Sequence, residues 1–196
     1  MALVQKLKVS DHMTFGQIAD AALSRVLQEG GNSKRIDVVF DVYNEISIKS
    51  AEREQRGEGE SVTYKNLTAG QKIKQFNNFL LNGQNNNSLI KFFNDYWSKP
   101  SSRHKLADKE LYITCGAKCY KVTVNSVQDV VELSSEQREA DTRLLLHAKH
   151  AAKQLLFHPR TRTCACYAFR LRMQSLFPFF SDAFRSTMPG ISISAR

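Results

Sequence analysis

The pattern of apolar and polar positions divides most of the chain into short helices and strands. The run 36–40 is rich in β-branched and aromatic side chains and predicts a buried strand. Two further runs, 111–115 and 120–124, flank Gly116 and predict a β-hairpin. Together with the helical stretches described next, these strands indicate an α/β domain.

Three capping-box patterns, in which Ser or Thr precedes Gln by three residues, predict helix starts. The predicted helices extend from Thr14 to about Glu29, from Thr68 to about Leu81 and, with Ser134 as the cap, from Ser135 to about Leu156. The polar segment 82–87 is expected to be a loop, and Ser88 is expected to cap a further helix that Pro100 terminates.

The segment after the predicted strand carries candidate chemistry. Asp41 follows that strand directly, at the carboxyl edge where open α/β sheets build their sites. Ser47 caps a predicted helix in which Lys49, Arg53 and Arg56 share one face. A carboxylate followed by a basic stripe can hold a metal ion beside a phosphodiester. The alternative is an ordinary βα unit whose charged helix faces solvent.

A second candidate carboxylate lies in the predicted last helix. Its predicted apolar stripe consists of Leu144, Leu145, Ala148, Ala152 and Leu155. At about 100° per residue, Asp141 lies in the middle of this stripe and Glu139 points nearly opposite. A desolvated carboxylate requires a partner, which could be an arginine, backbone amides at the helix start or a metal ion. The alternative is that the helix dipole stabilises Asp141 in the first turn.

The two histidines of this helix also allow either a functional or a purely structural interpretation. His147 and His150 could form a metal or catalytic pair, although helix-surface histidines are the common case. Motifs of P-loop NTPases, α/β hydrolases and zincin proteases do not occur in the sequence.

The composition of the chain indicates which kind of partner and which cellular compartment to expect. The 196 residues carry a net charge of +9, which favours a polyanionic partner. No apolar run is long enough for a membrane span, so no membrane partner is expected. The four cysteines lack both a disulfide framework and common zinc spacing, which predicts an intracellular protein, nuclear or cytoplasmic.

Two stretches resemble the flap-endonuclease group of PIN-like 5′ nucleases. These are VVFDVYNEISIKSAEREQRG (38–57) and READTRLLLHA (138–148). More closely, residues 14–152 resemble an uncharacterised animal protein family that shares the blocks DVVFDVY, SIKSAER, LYITC, CYKVT and EADTRLLLHAKHAA. The resemblance implies a mostly parallel central sheet flanked by helices, with a small β-hairpin.

The resemblance also implies site residues. Asp41, Glu139 and Asp141 match acidic metal-site positions, at which Mg²⁺ or Mn²⁺ would support phosphodiester hydrolysis of DNA or RNA. Two further acidic motifs of these groups, an aspartate-glycine at the end of a first strand and an aspartate-threonine-aspartate after the last helix, are missing. The chain is therefore expected to be truncated at both ends.

The C-terminal segment differs in composition from the rest. Residues 158–196 are rich in arginine, contain no lysine and have one acid, Asp182. Codons can be chosen for residues 160–164 that encode Asp-Thr-Asp-Val in a shifted frame. We therefore expect an incomplete domain at 1–157 and a poorly ordered basic tail at 158–196. That tail is either a shifted reading frame or an ordinary basic tail.

The predicted function is a divergent or incomplete metal-dependent nuclease-like domain that acts on or binds nucleic acid. The alternatives are a non-catalytic module that binds nucleic acid or protein, and an inert gene-prediction fragment. The sequence does not indicate an oligomeric state.

Overall fold

The computed structural model of the protein describes residues 7–42, 62–157, 164–169 and 191–195. Its helices are α1 (Phe15–Gly30), α2 (Phe76–Leu81), α3 (Gly83–Trp97), α4 (Pro100–Arg103) and α5 (Ala140–Phe157), with 3-10 turns at His104–Leu106 and Val131–Leu133. Its strands are β1 (Arg35–Phe40), β2 (Glu110–Cys115), β3 (Lys118–Val122), β4 (Val127–Asp129), β5 (Cys164–Phe169) and β6 (Ile191–Ala195).

The described strands form a single sheet with the order β4-β3-β2-β1-β5-β6. β1 is parallel to both of its neighbours, β2 and β5, and β6 is parallel to β5. β2, β3 and β4 form an antiparallel ribbon. The predicted α/β class is confirmed, and the sheet is mixed.

The predicted hairpin is confirmed as β2 and β3. Cys115 pairs with Lys118, so only two residues form the connection. Gly116 takes the first of these positions with φ of 58°, which a residue without a Cβ adopts without strain.

β5 and β6 lie in the segment 158–196, which we expected to be irregular. β5 pairs with β1 from Arg35 opposite Cys164 to Phe40 opposite Phe169. For these two segments the expectation is wrong. A run of six residues is long enough to complete a parallel ladder but too short to display a helical period. The rest of the segment lies outside the described residues.

The main core lies between one face of the sheet and the helices α1 and α3. Ile36, Val38 and Phe40 of β1 point into it and are almost completely buried. Trp97 of α3 links α3 to α1 by donating its indole N–H to the carbonyl of Ala19, at 2.9 Å. The alternate side chains of β1 therefore point to the opposite face, toward α5.

The start of α1 agrees with its predicted capping box. The Thr14 amide donates to Gln17 Oε1 at 2.9 Å, and the Gln17 amide donates to Thr14 Oγ1 at 3.3 Å. The equivalent pattern at Thr68 does not begin a helix. The carbonyls of Ala69 and Gln71 instead accept the first N–H groups of α1. The second capping-box prediction was therefore wrong, because the segment 68–72 completes the cap of another helix.

The predicted loop at 82–87 is also helical. Asn82 caps α3 by accepting the amides of Gln84 and Asn85, at 2.8 and 3.3 Å. The buried amide groups of Asn85 and Asn86 donate to the carbonyls of Phe79 and Leu80 at the end of α2. These asparagines join two consecutive helices, a role that their polarity alone does not reveal.

Within the described residues, no helix combines the length and the apolar character that crossing a lipid bilayer requires.

Candidate functional site

The carboxyl end of β1 meets the amino end of α5. Asp41, half-buried directly after β1, accepts the amide N–H of Ala140 at 2.8 Å through its Oδ1. One residue later, the Val42 amide donates to the carbonyl of Arg138 at 2.9 Å. These two bonds fix the strand end against the helix start. They also explain why α5 begins at Ala140 rather than at Ser135, since Asp41 supplies the first cap.

Two further predicted acids flank this contact. Glu139 precedes Ala140 and is exposed, whereas Asp141 follows it in the first turn of α5 and is half-buried. The structure therefore brings Asp41 to the peptide group that joins Glu139 to Ala140, one residue before Asp141. We call Asp41, Glu139 and Asp141 the acidic edge.

The acidic edge offers the type of ligand atom that a divalent cation prefers, but its carboxylates are not already gathered around one point. Carboxylate oxygens are the ligands that Mg²⁺ and Mn²⁺ prefer. However, one oxygen of Asp41 already accepts an amide N–H. Among the residues that the structure describes, no group of three or more His, Cys, Asp or Glu could hold a metal ion. The predicted basic stripe, Lys49, Arg53 and Arg56, lies outside the described residues.

Arg143 lies beneath the acidic edge with only 1% of its surface exposed. Its guanidinium donates long hydrogen bonds to the carbonyls of Phe40 and Lys118, at 3.5 and 3.4 Å. Burial lowers the pKa of Arg143, and Asp41 is among the groups whose charge opposes that shift. The fixed positive charge therefore links the end of β1 to the start of β3.

A second polar arrangement occupies the middle of β1, on the face covered by α5. Asp37 is completely buried and receives two bonds from Arg35, Nε to Oδ2 at 2.8 Å and Nη2 to Oδ1 at 2.7 Å. His147 of α5 approaches the same carboxylate, with its Nδ1 2.7 Å from Oδ1. Because a carboxylate only accepts, His147 donates through Nδ1.

Arg35 extends this arrangement along α5. Its Nη1 donates to His150 Nδ1 at 2.9 Å and to Gln154 Oε1 at 2.8 Å. Its guanidinium carbon also lies 3.8 Å from the ring centre of Tyr112 on β2, a cation–π geometry. We call Arg35, Asp37, His147, His150 and Gln154 the buried cluster.

The charges in the buried cluster set the ionisation of Asp37. Burial alone would raise the pKa of this carboxyl. The charge of Arg35 and the hydrogen bonds from Arg35 and His147 outweigh burial and hold the pKa of Asp37 below its usual value. The carboxylate is therefore retained without contact with solvent.

The Asp37–His147 pair has the geometry of the acid and base in a nucleophilic triad, but no described nucleophile completes it. The thiol of Cys119 is fully buried, and burial together with the Asp37 charge raises its pKa to about 12. His147 Nε2, the atom that would activate a nucleophile, is buried without a hydrogen-bond partner among the described residues. The pair is therefore suited to holding α5 on β1.

The prediction for the α5 face was partly wrong. Leu145, assigned to the apolar stripe, is 44% exposed, and Ala152 is only half-buried. The buried face is rotated by about one residue and consists of Ala140, Arg143, Leu144, His147, Ala148 and Ala151. The surface assignment of His147 was also wrong, because Asp37 satisfies its Nδ1 in the interior.

A signal for the buried cluster does exist in the sequence. Arg35 directly precedes the predicted strand and lies two positions from Asp37, so an extended chain places both on one face, where a buried acid requires a cation. His147, His150 and Gln154 share one face of the last helix at helical spacing.

No protein-family model, no curated protein and no solved structure matches the chain.

Proposed function

We propose that the chain is a divergent nuclease-like domain of PIN-like arrangement that acts on or binds nucleic acid at its acidic edge. The observation that carries this proposal is the 2.8 Å bond from the Ala140 amide to Asp41 Oδ1. It joins Asp41 to Ala140, 99 positions later. Ala140 lies between Glu139 and Asp141, the other two acids that the motif resemblance assigns to the metal site.

Within this proposal the three acids hold Mg²⁺ or Mn²⁺. When bound, such an ion polarises phosphate oxygens and lowers the pKa of a bound water. Asp41 is the most constrained ligand, because its Oδ1 is fixed by the Ala140 amide. Glu139 is exposed and can turn toward an ion or a phosphate. Completing the site requires movement of these side chains or further ligands.

Electrostatics supports a nucleic-acid partner. The net charge of +9 raises the local concentration of polyanions at the surface. The proposed phosphate contacts are Lys49, Arg53 and Arg56, whose predicted helix begins after Ser47, a short distance beyond Asp41 in the sequence. Cations next to a metal-held phosphate would neutralise the flanking phosphates.

A second candidate function is a binding module without catalysis. It is favoured by the structural role of Asp41, and by the lack of a group of three metal-ligating side chains within the described ranges. Such a module would bind nucleic acid, or a protein, without a divalent ion.

Binding of labelled single-stranded and duplex oligonucleotides, with EDTA and with Mn²⁺, separates the two candidates. For a metal-dependent nuclease-like domain, Glu139→Gln and Asp141→Asn should abolish the Mn²⁺-dependent part of binding and any cleavage. Glu136→Gln is the matched control, because Glu136 is an exposed acid just before α5. Oligonucleotide binding that does not depend on Mn²⁺ in any variant would favour the second candidate. No binding to either oligonucleotide would overturn the nucleic-acid proposal.

The basic stripe has its own test. Replacing Lys49, Arg53 and Arg56 by Ala should reduce the slope of log affinity against log salt by up to ~0.9 per lost contact with duplex DNA. The melting temperature should barely change. The matched control replaces three exposed lysines elsewhere, Lys65, Lys72 and Lys74. A salt slope that is unchanged in the first variant would remove this helix from the interface.

A further inference from the structure

The hydrogen bond between Arg35 and His150 can form only when the imidazole of His150 is neutral. Arginine carries only donor groups, so the nitrogen of His150 that lies 2.9 Å from Arg35 Nη1 must accept. His150 is therefore neutral in this arrangement and carries its proton on Nε2. A protonated ring would present an N–H to a guanidinium and add a second positive charge.

Few groups can compensate for such a charge. The charged or titratable groups that act on His150 are Arg35 and Asp37 from β1, Glu132 from the 3-10 turn before α5, and His147 from α5 itself. Tyr112 of β2 packs its ring edge-on, with ring centres 6.2 Å apart. Asp37 is already held by Arg35 and His147.

We propose that His150 is a pH-sensitive contact that strengthens the attachment of the second half of α5 to β1 only while its imidazole is neutral. Protonation removes the acceptor for Arg35 Nη1, which leaves Gln154 as its acceptor on α5. It also places two cations at hydrogen-bonding distance. The second half of α5 is then attached to β1 less firmly, while the bond from Ala140 to Asp41 at the amino end of α5 is not directly involved. This role does not depend on what the acidic edge binds.

The electrostatic balance agrees with this geometry. Burial lowers the pKa of His150 from 6.5, and the positive charge of Arg35 lowers it further. Asp37 and Glu132 act in the opposite direction and do not outweigh these effects. A base with a lowered folded-state pKa binds fewer protons when folded than when unfolded. Stability is therefore lost as pH falls from 6.5 toward the folded pKa.

The proposal can be tested on the full chain by long-range ¹H–¹⁵N correlation of the histidine rings. The signal that disappears in His150→Gln identifies His150. At about pH 7.5, well above the pH range in which an unperturbed histidine titrates, it should show the tautomer protonated on Nε2. On acidification it should titrate below 6.5. A ring protonated on Nδ1, or a midpoint at or above 6.5, would overturn the proposal.

Thermal unfolding supplies a second measurement. Gln keeps an acceptor for Arg35 but does not titrate, so His150→Gln should fold at neutral pH. Its melting temperature should fall less than that of the wild type between about pH 7.5 and about pH 5. His12→Gln is the matched control, because His12 is exposed, and it should behave like the wild type. An equal fall in His150→Gln and wild type would show that His150 does not carry the pH response.

Discussion

Replacing Asp37 by Asn tests whether the buried cluster holds α5 on the sheet. The substitution keeps the shape of the side chain and removes its charge. Arg35, which is only 6% exposed, would then lose the carboxylate that it contacts at 2.7 and 2.8 Å. His147 would lose the acceptor of its Nδ1 proton. The perturbation therefore leaves a buried cation without its counter-ion.

The expected cost follows from this uncompensated charge. Removing one partner of a buried ion pair costs about 3–5 kcal/mol. We expect Asp37→Asn to fall in that range, because Asp37 is completely buried and Arg35 is held in place by Tyr112 and Gln154. Replacing both members, as in Arg35→Met with Asp37→Leu, should cost less than the sum of the single changes, since no buried charge is then left alone.

Urea unfolding at neutral pH measures this cost. The fluorescence of Trp97, which is buried and is the chain's single tryptophan, reports on the main core. Asp20→Asn is the matched control, because Asp20 forms a partly exposed ion pair with Lys105. That pair should be worth less than about 1 kcal/mol. If Asp37→Asn cost no more than Asp20→Asn, the buried cluster would not stabilise the fold.

Three further predictions concern acid stability, thiol reactivity and packing. The pKa of Asp37 is lower in the folded protein than its ordinary value of 3.8, so its carboxylate stabilises the fold above pH 3.8 and this stabilisation is lost as the pH falls through the folded pKa. Asp37→Asn should therefore lose less unfolding free energy on acidification than the wild type does. Cys119, with its pKa raised to about 12, should react with iodoacetamide only after unfolding, as read by peptide mass spectrometry; labelling in the native state would contradict its burial. Gly30→Ala should lower the unfolding free energy by roughly 1–3 kcal/mol, because the new Cβ would clash with the Ile36 side chain. In Gly70→Ala a Cβ meets nothing within 4 Å, and that variant should stay near wild type.

The parts of the fold that were predicted correctly have local causes. The cap of α1 is formed by Thr14 and Gln17, three residues apart, and the β2–β3 hairpin depends on a Gly at one turn position. Each of these signals lies within a few residues of the structure that it specifies. Sequence pattern is sufficient in such cases.

The parts that were missed have distant causes. The cap of α5 comes from Asp41, and the cap of α1 is completed by carbonyls at Ala69 and Gln71. Neither contact can be read from a local window, so capping-box patterns at Thr68 and Ser134 gave false helix starts. For the candidate site, Asp41 was identified because it follows a strand. Asp37 was missed although its partner Arg35 lies two residues away on the same strand, because its burial depends on α5, which carries its other partner, His147.

The position of β1 in the middle of the sheet has a consequence for the order in which the protein folds. β1 is synthesised before both of its neighbours, β2 and β5, which come much later in the chain. A strand waiting for distant partners exposes unpaired backbone groups and apolar side chains during synthesis. Contacts of such large sequence separation also slow folding. We therefore expect the nascent chain to rely on chaperones until β2 can pair with β1, and refolding from denaturant to be slower and more prone to aggregation than that of helical domains of similar size.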